Sequence, residues 1–119
     1  MFKNCTRLKR FTPSHLSALT NGQEMFSYCK NLASFSSNLP NLTNGWCMFN
    51  SCTNLTAFDV DLPNLINGDY MFNCCYKLTA FDADLSSLTS GKSMFDGCTK
   101  LTSFKSNLSS LTNGERMFN

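Results

Sequence analysis

Apolar residues recur along this chain with a fixed beat. Met-Phe pairs stand at Met1-Phe2, Met25-Phe26, Met48-Phe49, Met71-Phe72, Met94-Phe95 and Met117-Phe118, so the first interval is 24 residues and the other four are 23. The unit is M-F-x-x-C-x-x-L-x-x-F-x-x-x-L-x-x-L-x-x-G-x-x, and all fifteen Leu, eleven Phe and six Met fall on it, too many for coincidence. Seven apolar positions per unit cannot close a core alone, so the units must stack and turn each position into a row running along the array. The pattern therefore predicts an α/β repeat solenoid over 1–119, with units 1–24, 25–47, 48–70, 71–93 and 94–116 and the start of a sixth at 117–119. Within a unit, Met48, Phe49, Cys52 and Leu55 at i, i+1, i+4 and i+7 predict a short α or 3-10 segment. Phe58 and Val60 alternate with Ala57 and Asp59, the period of a short parallel strand. Leu62 and Leu65 then feed the core before an Asn-Gly turn, where glycine is expected to take a positive φ. The first unit carries one extra residue in Thr-Pro-Ser-His before Leu16, which predicts a local bulge.

Counted from Leu32, the positions Phe35, Gly45, Phe49, Cys52 and Leu55 resemble the BspA-like, or Treponema pallidum-type, leucine-rich repeats. The likeness covers the whole chain. It departs at Met48, where that family has Ala, at Leu39 and Leu42, which are shifted, and in using Phe for the strand Ile. The resemblance implies a right-handed coil with one short strand and one short helical segment per unit. It also implies an extracellular, cell-surface or virion-borne recognition array, a section of a larger protein.

Composition narrows the function classes. Leu, Ile, Val and Phe number 28 of 119, enough to bury a core, and a net charge of +2 is too small for a nucleic-acid or anionic-membrane signature. Lys3, Arg7, Lys9 and Arg10 cluster at the start without interleaved aromatics, as a solvated basic face does. No apolar run is long enough to span a membrane, and the first residues hold no signal-peptide core. The single His15 excludes a His-pair metal site, and none of the phosphate-loop, dinucleotide, zinc-protease or nucleophile-elbow motifs occurs, so neither an enzyme nor a bound cofactor is expected. The chain opens on Met-Phe and stops at Asn119 without a polar terminal cap. Phe2 and Leu8 at one end and Leu108, Leu111 and Phe118 at the other therefore favour end-to-end self-association unless a further segment covers them.

Four features are candidates for chemistry. Cys5, Cys29, Cys52, Cys75 and Cys98 form one row, expected to pack as buried free thiols because matching positions in adjacent units point the same way, whereas a disulfide needs converging Cβ atoms. Cys47 and Cys74 lie off that row, and a bridge between them is the alternative to free thiols. Asp59, Asp61, Asp82 and Asp84 stack as D-V-D on D-A-D, with Lys105 continuing one row. They are read as a solvated or partner-contacting acidic face, or alternatively as a Ca²⁺ site. Trp46, Tyr70, Tyr28 and Tyr76 are the aromatics off the Phe rows, and Trp46 and Tyr70 join the candidate contact set. Sequons at Asn4, Asn41, Asn54 and Asn107 are no more than an Asn-rich composition yields by accident. The expectation is a non-catalytic protein- or glycan-recognition module on a bacterial surface or phage protein. The alternative is a structural spacer, with or without calcium.

Overall fold

The protein is described by a computed structural model over residues 2–12 and 16–119; the bulge expected around Pro13 to His15 lies outside the described residues. Five two-residue parallel strands appear where the Phe alternation placed them: β1 (Arg10–Phe11), β2 (Ser34–Phe35), β3 (Ala57–Phe58), β4 (Ala80–Phe81) and β5 (Ser103–Phe104). They stack in chain order, with Arg10 on Ser34 on Ala57 and Phe11 on Phe35 on Phe58, and with Ala80 on Ser103 and Phe81 on Phe104. A second parallel ladder runs through Asn21, Asn44, Asn67, Ser90 and Asn113. The repeats thus lie on one another in register, and the array is a repeat fold built from parallel ladders.

Phe rings fill the space between the ladders. Those of Phe2, Phe26, Phe49, Phe72, Phe95 and Phe118 stack nearly parallel at 5.4–5.6 Å, tilted by 3–6°. The strand rings meet them edge to face, as Phe35 meets Phe49 at 4.9 Å and 71°, the arrangement that aromatic quadrupoles favour. Leu39, Leu42, Leu62, Leu65, Leu85 and Leu88 close the remaining side, all buried.

The helical segment expected at Met-Phe is not there: among the described residues no helix forms. The N–H groups of Glu24, Phe26 and Tyr28 donate to the carbonyls of Trp46, Met48 and Asn50 in the next repeat at 2.8–2.9 Å, while those of Met25, Ser27 and Cys29 turn back to Gly22, Glu24 and Phe26 at 3.0–3.1 Å. The same alternation recurs down the array, from Cys47, Phe49 and Ser51 to Asp69, Met71 and Asn73, for example. Consecutive three-residue turns reproduce helix-like spacing, but alternate amides bond to the neighbouring repeat instead of closing a helical turn. This path needs left-handed residues on both sides of the Met-Phe pair. Glu24, Cys47, Tyr70, Ser93 and Arg116 precede it with φ of 51–57°, and Asn4, Tyr28, Ser51 and Cys74 follow it with φ of 60–64°. Such residues cost about 1–2 kcal/mol each outside glycine, which the inter-repeat bonds and ring burial offset.

The Asn-Gly glycines also differ from expectation, since Gly97 alone among the glycines has a positive φ. Close approach is what demands glycine there. A Cβ on Gly22 would stand 2.6 Å from Met48 Sδ, and one on Gly45 would stand 2.7 Å from Met71 Sδ and 3.2 Å from Leu65 Cδ1. Each of these methionines lies across the glycine 26 residues before it. The cysteine row is likewise explained by a contact: the thiols of Cys29, Cys52, Cys75 and Cys98 donate to the carbonyls of Phe2, Phe26, Phe49 and Phe72 at 3.0–3.3 Å. A small apolar side chain carrying a weak donor suits that position.

Gly45→Ala should therefore destabilise by about 1–3 kcal/mol through overpacking, and Gly91→Ala, whose Cβ would meet Met117 Cε only at 3.2 Å, should cost less. Urea midpoints of the two variants check this, and an equal loss would show that the methionine contact is not the cause.

Candidate interaction surface

The four aspartates separate into two pairs with different work. Asp61 accepts the N–H of Asp84 in the neighbouring repeat at 3.0 Å, and Asp84 accepts the Ser86 N–H at 2.9 Å, capping a turn as Asn107 does for Ser109 at 2.8 Å. Hydrogen bonds from the Ser86 hydroxyl and N–H hold the Asp84 carboxyl below its ordinary range. All four are exposed; Asp59 and Asp82, with Lys105, line a groove of about 300 Å³ floored by Thr56, Ala57, Thr79, Ala80 and Ser103. The two strand sheets break at this point: β1, β2 and β3 form one and β4 and β5 the other. Like charges directly opposite weaken a strand pair, and here the Leu62 N–H donates to the Asp84 carbonyl at 3.1 Å instead. Among the described residues no three acidic, Cys or His side chains stand together as a group that could hold a metal ion.

Trp46 and Tyr70 do not join that groove. Both are half-buried on the Met-Phe segment, whose surface is laced by polar pairs between adjacent repeats. Lys3 meets Glu24 at 2.8 Å, Lys92 meets Glu115 at 3.3 Å and Arg116 meets Asp96 at 3.6 Å. Such exposed pairs add little stability and mainly favour one register. The Asn row also caps: Asn21, Asn44, Asn67 and Asn113 accept the N–H two residues on at 3.0–3.1 Å. Where Ser90 interrupts that row, Asp69 takes over and accepts from the Ser90 hydroxyl at 2.6 Å and the Lys92 N–H at 2.8 Å.

Exposed large apolar side chains lie elsewhere: Phe118 at 54%, and Tyr28, Ile66 and Tyr76 at 43–49%. Ile66 lines a groove of about 640 Å³ with Ala18, Thr20, Asn41, Thr43, Asn64 and Ser87. Its signal was present in the sequence as Leu-Ile-Asn-Gly, where Leu-Thr-Asn-Gly stands at Leu42 and Leu111; sequence reasoning passed over it. All seven cysteines are free, including Cys47 and Cys74, so the alternative bridge between them is not made. Those two occupy different rows, one before and one after Met-Phe. Burial pushes the thiols of Cys52 and Cys75 far up and that of Cys98 to about 12, and Cys47, itself buried, is raised by the same cause.

Compared with known families, the chain matches the BspA type leucine-rich repeat region in six copies, over residues 1–66 and 45–119. It belongs to that family. Comparison with curated proteins and with solved structures gave no match. In this BspA-type chain the family's Phe, Gly, Cys and Leu positions are the buried rows, and the residues between them form the surface.

Because the Asp84 pKa is depressed, its charge contributes stability that is present above the unfolded pKa and lost as pH falls through the folded one. Asp84→Asn keeps the cap's shape and removes its charge, so its melting temperature should lie below the parent's near neutral pH. The two should converge below about pH 4, where carboxylates protonate; a gap that persists in acid would refute the assignment. In the native protein the half-exposed Cys5 and Cys74 should react with a neutral alkylating reagent before Cys29, Cys52 and Cys75. Mass mapping of a labelling time course reads the order, and early labelling of Cys52 would contradict the burial described.

Proposed function

We propose that this BspA-type chain is a non-catalytic recognition module, displayed on the outside of a bacterial cell or phage particle, that binds a protein or glycan through its variable rows. The observation that carries this reading is the division between rows. Met, Phe, Leu, Cys and Gly positions are constant and internal, whereas Ile66 and Tyr76 place large exposed apolar groups in rows where Thr20, Thr43 and Thr89, or Thr6, Thr53 and Thr99, stand in other repeats. Nothing in the core requires those two exchanges, and exposed apolar or aromatic side chains set among polar ones are what a partner covers with gain. The groove of Asp59, Asp82 and Lys105 adds a charged contact alongside. Surface display is supported by the family resemblance alone.

Panning a random peptide library and a glycan array against the immobilised chain tests the proposal. A recovered ligand should lose about tenfold or more in affinity with Ile66→Thr or Tyr76→Thr, since burying an Ile side chain contributes about 1.5–3 kcal/mol, while the melting temperature stays unchanged. If no ligand is recovered, or if neither exchange nor Asp59→Asn with Asp82→Asn alters binding, the array is a spacer.

A further inference from the structure

Three of the four junctions between successive strands are paired, and the one between β3 and β4 is not. The backbone shows the same break one residue before each strand. The N–H groups of Ala33, Thr56 and Thr102 donate to the carbonyls of Lys9, Ala33 and Thr79 in the preceding repeat at 2.8–3.1 Å. The hydroxyls of Thr56 and Thr102 reach the same carbonyls of Ala33 and Thr79 at 3.2 and 3.4 Å. Thr79 holds the equivalent place before β4, yet neither its N–H nor its hydroxyl meets an acceptor among the described residues. The groove of about 300 Å³ opens at this place, with Thr56 and Thr79 in its lining.

Bulk does not explain the difference, since residues 56–59 and 79–82 both read Thr-Ala-Phe-Asp. Charge does. The position after the strand Phe reads Thr12, Ser36, Asp59, Asp82 and Lys105 along the array. The paired junctions thus set Thr against Ser, Ser against Asp and Asp against Lys, and the unpaired one sets Asp against Asp. Like charges directly opposite destabilise a strand pair. On either side of the gap the same two repeats stay joined, by the Ser51 N–H on the Asn73 carbonyl at 2.8 Å and the Thr89 N–H on the Ile66 carbonyl at 3.0 Å. We propose that the β3–β4 junction is a charge-gated seam. Ionised Asp59 and Asp82 hold the strand side of the array open between two intact ladders, and neutralising either one lets Thr79 close onto the Thr56 carbonyl. The other charged groups at the gap are Lys105 in the groove, Asp61 and Asp84 beyond the strands, and Lys77 two residues before Thr79. Of these, Asp61 and Asp84 also bridge the junction, the Asp84 N–H donating to the Asp61 carboxylate at 3.0 Å and the Leu62 N–H to the Asp84 carbonyl at 3.1 Å.

Amide hydrogen exchange of the 119-residue chain, read residue by residue by NMR near neutral pH, tests this. Thr56, Thr79 and Thr102 each follow a Leu, so their intrinsic rates match and differences report protection. Thr79 should exchange at least about tenfold faster than Thr56 and Thr102, the equilibrium factor that one hydrogen bond of ordinary net strength provides against local opening. Asp59→Asn or Asp82→Asn should slow Thr79 to the rate of Thr56 and leave Thr102 unchanged. Lys105→Asp should carry the break to β4 and β5, so that Thr102 exchanges as fast as Thr79. Asp61→Ala removes the side-chain bond to Asp84 and keeps Asp59 opposite Asp82, so Thr79 should stay fast. A parent Thr79 as slow as Thr56 would overturn the seam, as would a Thr79 rate indifferent to both Asn exchanges, a Thr102 rate indifferent to Lys105→Asp, or closure by Asp61→Ala.

Discussion

The backbone ladder along the Met-Phe segment is the constraint on which the rest of this structure depends. Its alternate amides reach into the next repeat and its intervening amides close tight turns, so the segment has no satisfied form in an isolated unit. Buried amides without partners are strongly disfavoured. Each repeat therefore exists in this conformation only against a neighbour, and the left-handed residues at Glu24, Tyr28, Cys47 and Ser51 are held by that neighbour rather than by their own preferences. The stacked rings of Phe26, Phe49, Phe72 and Phe95 supply the burial that offsets the strain. Ladder and ring stack share one spacing and stand or fall together.

The ladder also has a direction. Along the Met-Phe segment the inter-repeat N–H groups point toward later repeats and the carbonyls toward earlier ones, so their peptide dipoles add along the stack much as they do in a helix. The strand and Thr ladders run the other way, the Ala33 N–H donating to Lys9 and the Thr43 N–H to Thr20, so the two sets of dipoles offset each other across the array.

Surface variation is cheap in this architecture because the inward rows hold the fold. Exchanging Thr for Ile66 or Tyr76 leaves every ladder intact, and even the ladder row tolerates Ser90 once Asp69 reaches across to cap the Lys92 N–H. The Asp59-Asp82 stack is the exception, since it coincides with the break between β3 and β4. A charged row facing its own copy weakens the strand ladder, and here the rings beneath keep the two halves together, with Phe58 and Phe72 at 4.9 Å.

The period, the membership of the Met, Phe, Cys and Leu rows, the strand position at Phe58 and the free, packed thiols of the cysteine row were legible from residue order, because burial in a stacked array follows the positions that repeat. What the Met-Phe segment does with its amides was not legible: spacing at i, i+1, i+4 and i+7 is shared by a helix and by a run of three-residue turns, and only the neighbouring repeat's carbonyls decide between them. The same holds for the glycines at 22, 45, 68 and 91, where a turn signal concealed a packing requirement set by a methionine one repeat away. It holds too for the aspartates, whose identical spacing hid that Asp61 and Asp84 accept backbone N–H groups while Asp59 and Asp82 line the groove beside Lys105. Sequence determined which residues recur together; the contacts between one repeat and the next, which no single repeat contains, decided how the backbone runs and which side chains remain for a partner.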